Sequence, residues 1–259
     1  MIYVIKSKGR PNILRQKSYA LLKRYSVPDK DINIFVSNED DLESYCAEFP
    51  DANVHIGDEG VVGIDNFIVD FFPEGEEYIY MNDDIKSLHW LDDKDHTKYV
   101  LRECDFNDFC YLTTKLFSEL RVHNLSYGGV YFCDNAMFMN NAQEMSFNLS
   151  IIIDGFSACI NNKKIKLTKF PEINDNWFSD YEKSILHFRD RGGICRLNKY
   201  CFKGEFFGKK SPITTRTTDN HLICAQKMWE KYPNEVGQIK RKKNGWNSLI
   251  FKKIKHNCY

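Results

Sequence analysis

Two adjacent carboxylates, Asp83 and Asp84, close an apolar run that reads Tyr78-Ile79-Tyr80-Met81 and passes through Asn82, with Ile85 directly after them. Such a run is a buried strand, and open α/β sheets bind ligands just outside the carboxyl ends of their strands. Paired acids there suit Mg²⁺ or Mn²⁺, which take oxygen ligands and leave part of the shell to substrate phosphates. The same polar residues also favour a turn, so the segment alone fits either a cation site or a solvated strand-to-turn junction. A second cluster, Ser7-Lys8-Gly9-Arg10-Pro11, follows the apolar opening Met1 to Ile5. Its hydroxyl, glycine and cations could face a diphosphate, or form an ordinary βα turn. It lacks the Gly-Lys-Ser/Thr ending of a Walker loop.

The elements that must position these residues follow from periodicity. Strands are expected over Met1 to Ile5, Ile32 to Val36, Asn53 to Ile56 and Tyr78 to Ile85. Helices are expected between them, near Asn12 to Tyr25, Asp41 to Phe49 and Val61 to Phe72, the second capped from the cluster Ser37 to Asp41. This βαβαβαβ alternation reads as a wound, mainly parallel half-sheet. Further on, Phe109 to Arg121 and Trp177 to Arg191 carry helical apolar faces, and Tyr127 to Phe132, Leu149 to Ile153 and Ile194 to Leu197 read as strands. Lys86 to Asp108 reads as polar and charged. The expected class is α/β, a mixed, mainly parallel sheet flanked by helices, with one compact domain and a basic C-terminal extension.

Formal net charge is zero, with 36 basic and 36 acidic residues, but the charges are segregated. Residues 1–195 hold 21 Lys and Arg against 32 Asp and Glu, net −11; residues 196–259 hold 15 against 4, net +11. In that basic quarter Lys209, Lys210, Lys240, Arg241, Lys242, Lys243, Lys252, Lys253 and Lys255 alternate with Phe207, Trp229, Trp246 and Phe251. Cations would follow a phosphate backbone and rings would stack on bases; a solvated basic face is the other reading. The nine cysteines are scattered without a Cys-x-x-Cys pair, which indicates neither a zinc knuckle nor a disulfide framework and fits a reducing, cytoplasmic setting. No apolar run is long enough for a membrane span, and the opening residues do not form a signal peptide.

Three spaced motifs together resemble the GT-A glycosyltransferases, in particular those associated with TET/JBP-type systems and phage DNA hypermodification. Ser7-Lys8-Gly9-Arg10-Pro11 matches that pattern throughout. Gly63-Ile64-Asp65-Asn66 keeps its glycine, isoleucine and asparagine but has Asp65 in place of arginine, and Met81-Asn82-Asp83-Asp84-Ile85 has Asn82 in place of the first acid. The resemblance covers residues 1–205 and implies a GT-A-like domain there, with residues 206–259 packed on it. It implies a nucleotide-sugar donor, a UDP-sugar, held by Ser7, Lys8, Gly9, Arg10, Asp65, Asn66, Asn82 and Asp83. It further implies Mn²⁺ or Mg²⁺ on Asp84, with Asp83 beside it, and a catalytic base at Asp180, or Glu182 as its substitute, with Ser179 replacing the usual glutamate. His221 and His256 are late residues that could reach the metal or stand as surface histidines.

The acceptor implied is a hydroxymethylated pyrimidine, 5-hydroxymethylcytosine, in bacteriophage DNA, with Lys240, Arg241, Lys242 and Lys243 as DNA contacts. Two alternatives stay open. The same enzyme could glycosylate a protein, lipid or glycan, or the departures at Asp65, Asn82 and Ser179 could mark a non-catalytic domain that binds DNA or a partner.

Overall fold

The computed structural model describes residues 1–92, 99–204 and 217–256. Its first strand, β1 (Ile2–Lys6), alternates between two cores as strand geometry requires. Tyr3 and Ile5 face one apolar layer and Val4 the other. The chain then runs into α1 (Pro11–Leu14), a π-helical segment (Arg15–Tyr19) and α2 (Ala20–Arg24). Pro11 opens α1, where a missing N–H costs nothing. Then follow β2 (Ile32–Val36), α3 (Glu39–Glu48), β3 (Asn53–Ile56), α4 (Gly60–Phe71) and β4 (Glu77–Asn82). Asn38 caps α3 by accepting from the Asp41 N–H.

The second half supplies β5 (Ile85–Asp92), β6 (Val100–Glu103), α5 (Phe106–Val122), β7 (Tyr127–Tyr131), α6 (Ala136–Asn141), β8 (Met145–Ser146), β9 (Ser157–Ile160), α7 (Ser179–Arg191) and β10 (Cys195–Gly204). Helix α8 (Thr218–Lys231) and the hairpin of β11 (Val236–Arg241) and β12 (Asn247–Phe251) complete the described chain. The main sheet has the order β3-β2-β1-β4-β9-β7-β10-β5-β6, with β8 on β10. Strands β3, β2, β1 and β4 are mutually parallel, as are β7 and β10, while β9 runs antiparallel between β4 and β7. This is the mixed, mainly parallel α/β sheet that the alternation predicts. One face packs on α1, α2 and α5 through Leu21, Leu22, Phe109, Leu112 and Leu116; the other packs on α4, α7 and α8 through Ile64, Ile68, Ile185, Phe188 and Met228.

The structure departs from the sequence reading in two places. Leu149 to Ile153 is not a strand: the Leu149 N–H donates to the Ile254 carbonyl and the Ile152 N–H to Ser184 Oγ, so its donors are spent outside the sheet. The strand that enters the sheet is β9, whose small Ser157 and Ala158 fit beside Gly128 and Gly129. The polar stretch after Ile85 contains β5, which turns back directly after the two acids and buries Ser87, Leu88 and His89. In residues 218–256, Cys224, Ala225, Met228, Tyr232, Val236 and Leu249 share a core with α7. Among the described residues no helix is long and apolar enough to cross a membrane.

Candidate active site

Strands β1 and β4 are neighbours in parallel register, Lys6 beside Asn82, so the loop after β1 and the acids after β4 emerge at the same edge. There the two clusters meet. Arg10 Nε donates to Asp83 Oδ2 at 2.7 Å and Arg10 Nη2 to Asp83 Oδ1 at 2.5 Å. Ser7 Oγ also donates to Asp83 Oδ2, at 2.5 Å, and lies 2.5 Å from the Tyr45 hydroxyl. The Arg10 N–H reaches that hydroxyl at 3.1 Å. Gly9 has φ +63°, a left-handed conformation that suits glycine, and its N–H donates to Asp41 Oδ1 at 3.0 Å. The β1 loop is therefore tied to α3 on one side and to the Asp83 turn on the other. Lys8 is exposed at its tip.

The turn itself is held from beneath. Ser18, fully buried, donates from Oγ to the Asn82 carbonyl at 2.5 Å and accepts the Ile85 N–H at 2.9 Å, bracketing Asp83 and Asp84. Ser18 lies in the π-helical segment, a distortion that recurs at functional sites because it re-aims side chains. Ser18→Ala leaves a buried donor and a buried acceptor unmet, so urea unfolding is expected to register a loss of about 1–3 kcal/mol. An unchanged midpoint would remove Ser18 from this role.

Both Asp83 oxygens are taken by protein donors, which leaves Asp84 as the carboxylate with an oxygen to give. Asp84 is buried, its Oδ1 has no hydrogen-bond partner, and its Oδ2 stands 3.9 Å from Arg10 Nη2. Gly204, at the end of β10, closes on it: a Cβ there would sit 3.7 Å from Asp84 Oδ1. Burial, and then the charge of Asp83, push the Asp84 carboxyl up to about 6 against the pull of Arg10 and Lys17. An orphaned, buried carboxylate oxygen fits a divalent cation that takes one protein ligand and fills its shell from phosphates and water. Among the described residues no group of three or more His, Cys, Asp or Glu is arranged to hold a metal ion. Neither histidine adds to Asp84. His221 Nδ1 accepts the Asn247 N–H, and His256 Nδ1 lies 2.9 Å from the Gly192 carbonyl.

Lys6 carries the site inward. Its Nζ donates to both oxygens of Asp65 at 3.0 Å and stands 3.5 Å from Asp154 Oδ2. Lys183, on α7, reaches Asp154 at 2.7 Å and Asp65 at 3.8 Å. The Tyr80 hydroxyl donates to Asp65 and the Tyr127 hydroxyl to Asp154. Asp180 joins through Oδ1, which accepts the Asp154 N–H at 3.4 Å. Two lysines balance Asp65 and Asp154, so Asp180 is the carboxylate in excess. Burial, and then the Asp154 charge, push its carboxyl up to about 7 despite Lys6 and Lys183. Burial also disfavours ionised Asp154, yet Lys183 and Lys6 outweigh it and hold that group well below the usual range.

Other expected site residues go elsewhere. Glu182 is fully buried: Oε2 accepts from the Thr168 N–H and Asn176 Nδ2, and Oε1 from Tyr232 and Lys231. Two residues apart on a helix face different ways, so Glu182 ties α7 to α8 while Asp180 looks toward Asp154. Asp65 pairs with Lys6 and Tyr80, and Asn66 clasps the backbone of Leu167 from both amide atoms. Asn82 is half-buried at the end of β4 and contributes its carbonyl to Ser18. Lys240, Arg241, Lys242 and Lys243 are exposed on β11 and the turn after it, well separated in sequence from the acids; Phe207, Lys209 and Lys210 lie outside the described residues. Ser18, Tyr45, Lys6, Asp154 and Lys183 were not singled out by sequence. Of these, Lys6 alone carried a signal, as a cation at the end of an apolar strand.

No protein-family model matches the chain, and no curated protein does. Several solved structures are similar to it. Residues 1–349 of TarS from S. aureus align at 10% identity and TM-score 0.45, over 78% of this chain and 59% of that one. The galactosyltransferase LgtC, bound to donor and acceptor sugar analogs, aligns at 12% identity and TM-score 0.42, over 76% and 73%. A mycobacterial protein aligns at 9% identity and TM-score 0.45, over 98% and 84%. The chain thus spans less than two thirds of the TarS structure.

Proposed function

We propose that this protein is a GT-A-type glycosyltransferase that moves a sugar from a nucleoside diphosphate donor, a UDP-sugar, to an acceptor hydroxyl. The observation that carries this reading is the meeting of Arg10, Asp83 and buried Asp84, whose Oδ1 has no hydrogen-bond partner, at the shared carboxyl edge of β1 and β4. That edge is where α/β sheets take nucleotides. Asp84 would hold a divalent cation, which when bound would supply Lewis-acid stabilisation of the departing diphosphate. Ser7 and Arg10 fix Asp83, and with it the turn that aims Asp84. Asp180 accepts the proton of the acceptor hydroxyl as its oxygen bonds to the anomeric carbon, and the bond from that carbon to the diphosphate oxygen breaks. A carboxyl raised to about 7 is matched to that transfer near neutral pH.

For the acceptor we adopt 5-hydroxymethylcytosine in DNA, modified in the cytoplasm of a phage-infected host. The domain reading keeps residues 1–205 as the catalytic unit and 206–259 as the segment that meets DNA. Supporting it are the exposed Lys240, Arg241, Lys242 and Lys243, which offer cations to phosphates. Replacing all four with Gln is expected to weaken DNA binding and flatten its salt dependence by a slope of about 0.9 per lost phosphate contact. UDP affinity should hold. Fluorescence anisotropy across a salt series measures this, and unchanged low-salt binding would remove the hairpin from the acceptor site. The whole reading is tested by incubating the protein with a panel of UDP-sugars and Mn²⁺, with and without 5-hydroxymethylcytosine DNA, and weighing the nucleosides. Sugar on the nucleoside supports the full reading; donor hydrolysis alone supports the enzyme without the DNA acceptor; no turnover and no UDP binding would overturn both.

A further inference from the structure

Arg196, on β10, carries a half-buried guanidinium that meets no carboxylate among the described residues. Its Nε donates to Asn198 Oδ1 at 2.7 Å and its Nη1 to the Ile151 carbonyl at 3.3 Å. The Tyr131 and Phe132 rings lie 5.0 and 5.7 Å from its Cζ. Among the described residues no acid stands within ion-pair distance. Arg10 and Arg189, by contrast, are each clasped by a carboxylate, Asp83 and Glu235. An arginine cannot shed its charge, and a partly desolvated cation without an anion is costly. Burial accordingly works against the charged form here. Two of its five N–H groups are used, and the remainder form a fork suited to a phosphate.

The surroundings say what else the ligand carries. Phe132 is 42% exposed and stacked on Tyr131 at 4.8 Å, so part of an aromatic surface beside the cation faces solvent. The carbonyl that Arg196 holds belongs to Ile151, three residues before Asp154, whose N–H meets Asp180. One short loop therefore connects this cation to the proposed base. We propose that Arg196, Tyr131 and Phe132 form an acceptor subsite that binds the phosphate of a phosphorylated ring, with the ring stacked on Phe132. The placement on the acceptor side rests on the role of Asp180 proposed above; the anion site itself does not.

The test follows the Arg196 Nε–H resonance in protein ¹⁵N-labelled at arginine, assigned by its loss in Arg196→Lys, while phenyl phosphate, inorganic phosphate or phenol is added. The expected result is a saturable shift with phenyl phosphate at a Kd on the order of 1 mM, a weaker one with inorganic phosphate and none with phenol. In parallel, phenyl phosphate should raise the Tm of the wild type but not of Arg196→Gln. An Arg196 signal that stays still well above that concentration would overturn the site, even where the Arg10 signal moves and calorimetry finds UDP bound. Equal responses to phenyl phosphate and inorganic phosphate would overturn the ring-stacking role. A shift at Arg196 in a protein that binds no UDP would support the anion site and count against the donor reading alone.

Discussion

Asp84→Ala is expected to lower sugar transfer by at least about 10³-fold, the several kcal/mol that a cation holding a diphosphate leaving group supplies. The fold should not suffer. Asp84 Oδ1 has no hydrogen-bond partner, and burial with Asp83 nearby already penalises its ionised form, so removing the carboxylate gives up little beyond the 3.9 Å approach of Oδ2 to Arg10. Its folded pKa lies above the ordinary value. Relative to a free aspartate, the group therefore favours the fold below about pH 4 and loses that contribution as pH rises through about 6. At pH 8 Asp84→Ala should melt at or above the wild-type temperature. Asp83→Ala gives the contrasting pattern: it strands Arg10 and Ser7 and should cost about 1–3 kcal/mol of stability as well as activity. Normal turnover by Asp84→Ala in Mn²⁺ buffer, measured beside calorimetry of UDP binding, would end the assignment.

The contrast between the two acids marks how far sequence could reach. That a strand ends in Asp83 and Asp84, and another in the loop of Arg10, was legible because strands buried on both faces read as continuous apolar runs. Parallel neighbours then bring their carboxyl ends together. Which acid is sealed by arginine and which is left open was not, because it depends on Ser18, Tyr45 and the π-helical segment, none of which carries a local pattern. The Lys6, Asp65, Asp154 and Lys183 network was hidden for a related reason. Its members come from β1, α4, a loop and α7, and Asp154-Gly155 reads by itself as a turn. Helix α8 lies within the basic quarter, where the apolar spacing of Cys224, Ala225 and Met228 is diluted by surrounding polar and charged residues. Glu182 could have been set aside from sequence, since a position two residues from Asp180 on a helix cannot share its face.

Asp180→Asn is the sharper test of the chemistry. Amide replacement keeps the shape and leaves a carbonyl to accept the Asp154 N–H, but it cannot take a proton, so kcat should drop about 10²–10⁴-fold with little change in UDP affinity. In the wild type the carboxyl must be ionised to act. Transfer should therefore rise with pH through an apparent pKa near 7, and the residual activity of Asp180→Asn should lack that limb. Stability has the opposite slope. The raised pKa means that the folded protein holds a proton on Asp180 where the unfolded chain has lost it, so this contribution is complete below about pH 4 and fades as pH climbs through about 7. Wild type should lose melting temperature relative to Asp180→Asn between those limits and no further above them. The same charge count governs the partners. Lys183→Met removes one cation from a cluster already one carboxylate in excess, and is expected to push the Asp180 limb to higher pH if the variant folds. A pH–rate profile that rises at the same point in wild type and in Asp180→Asn would assign the limb to another group and take Asp180 out of the reaction.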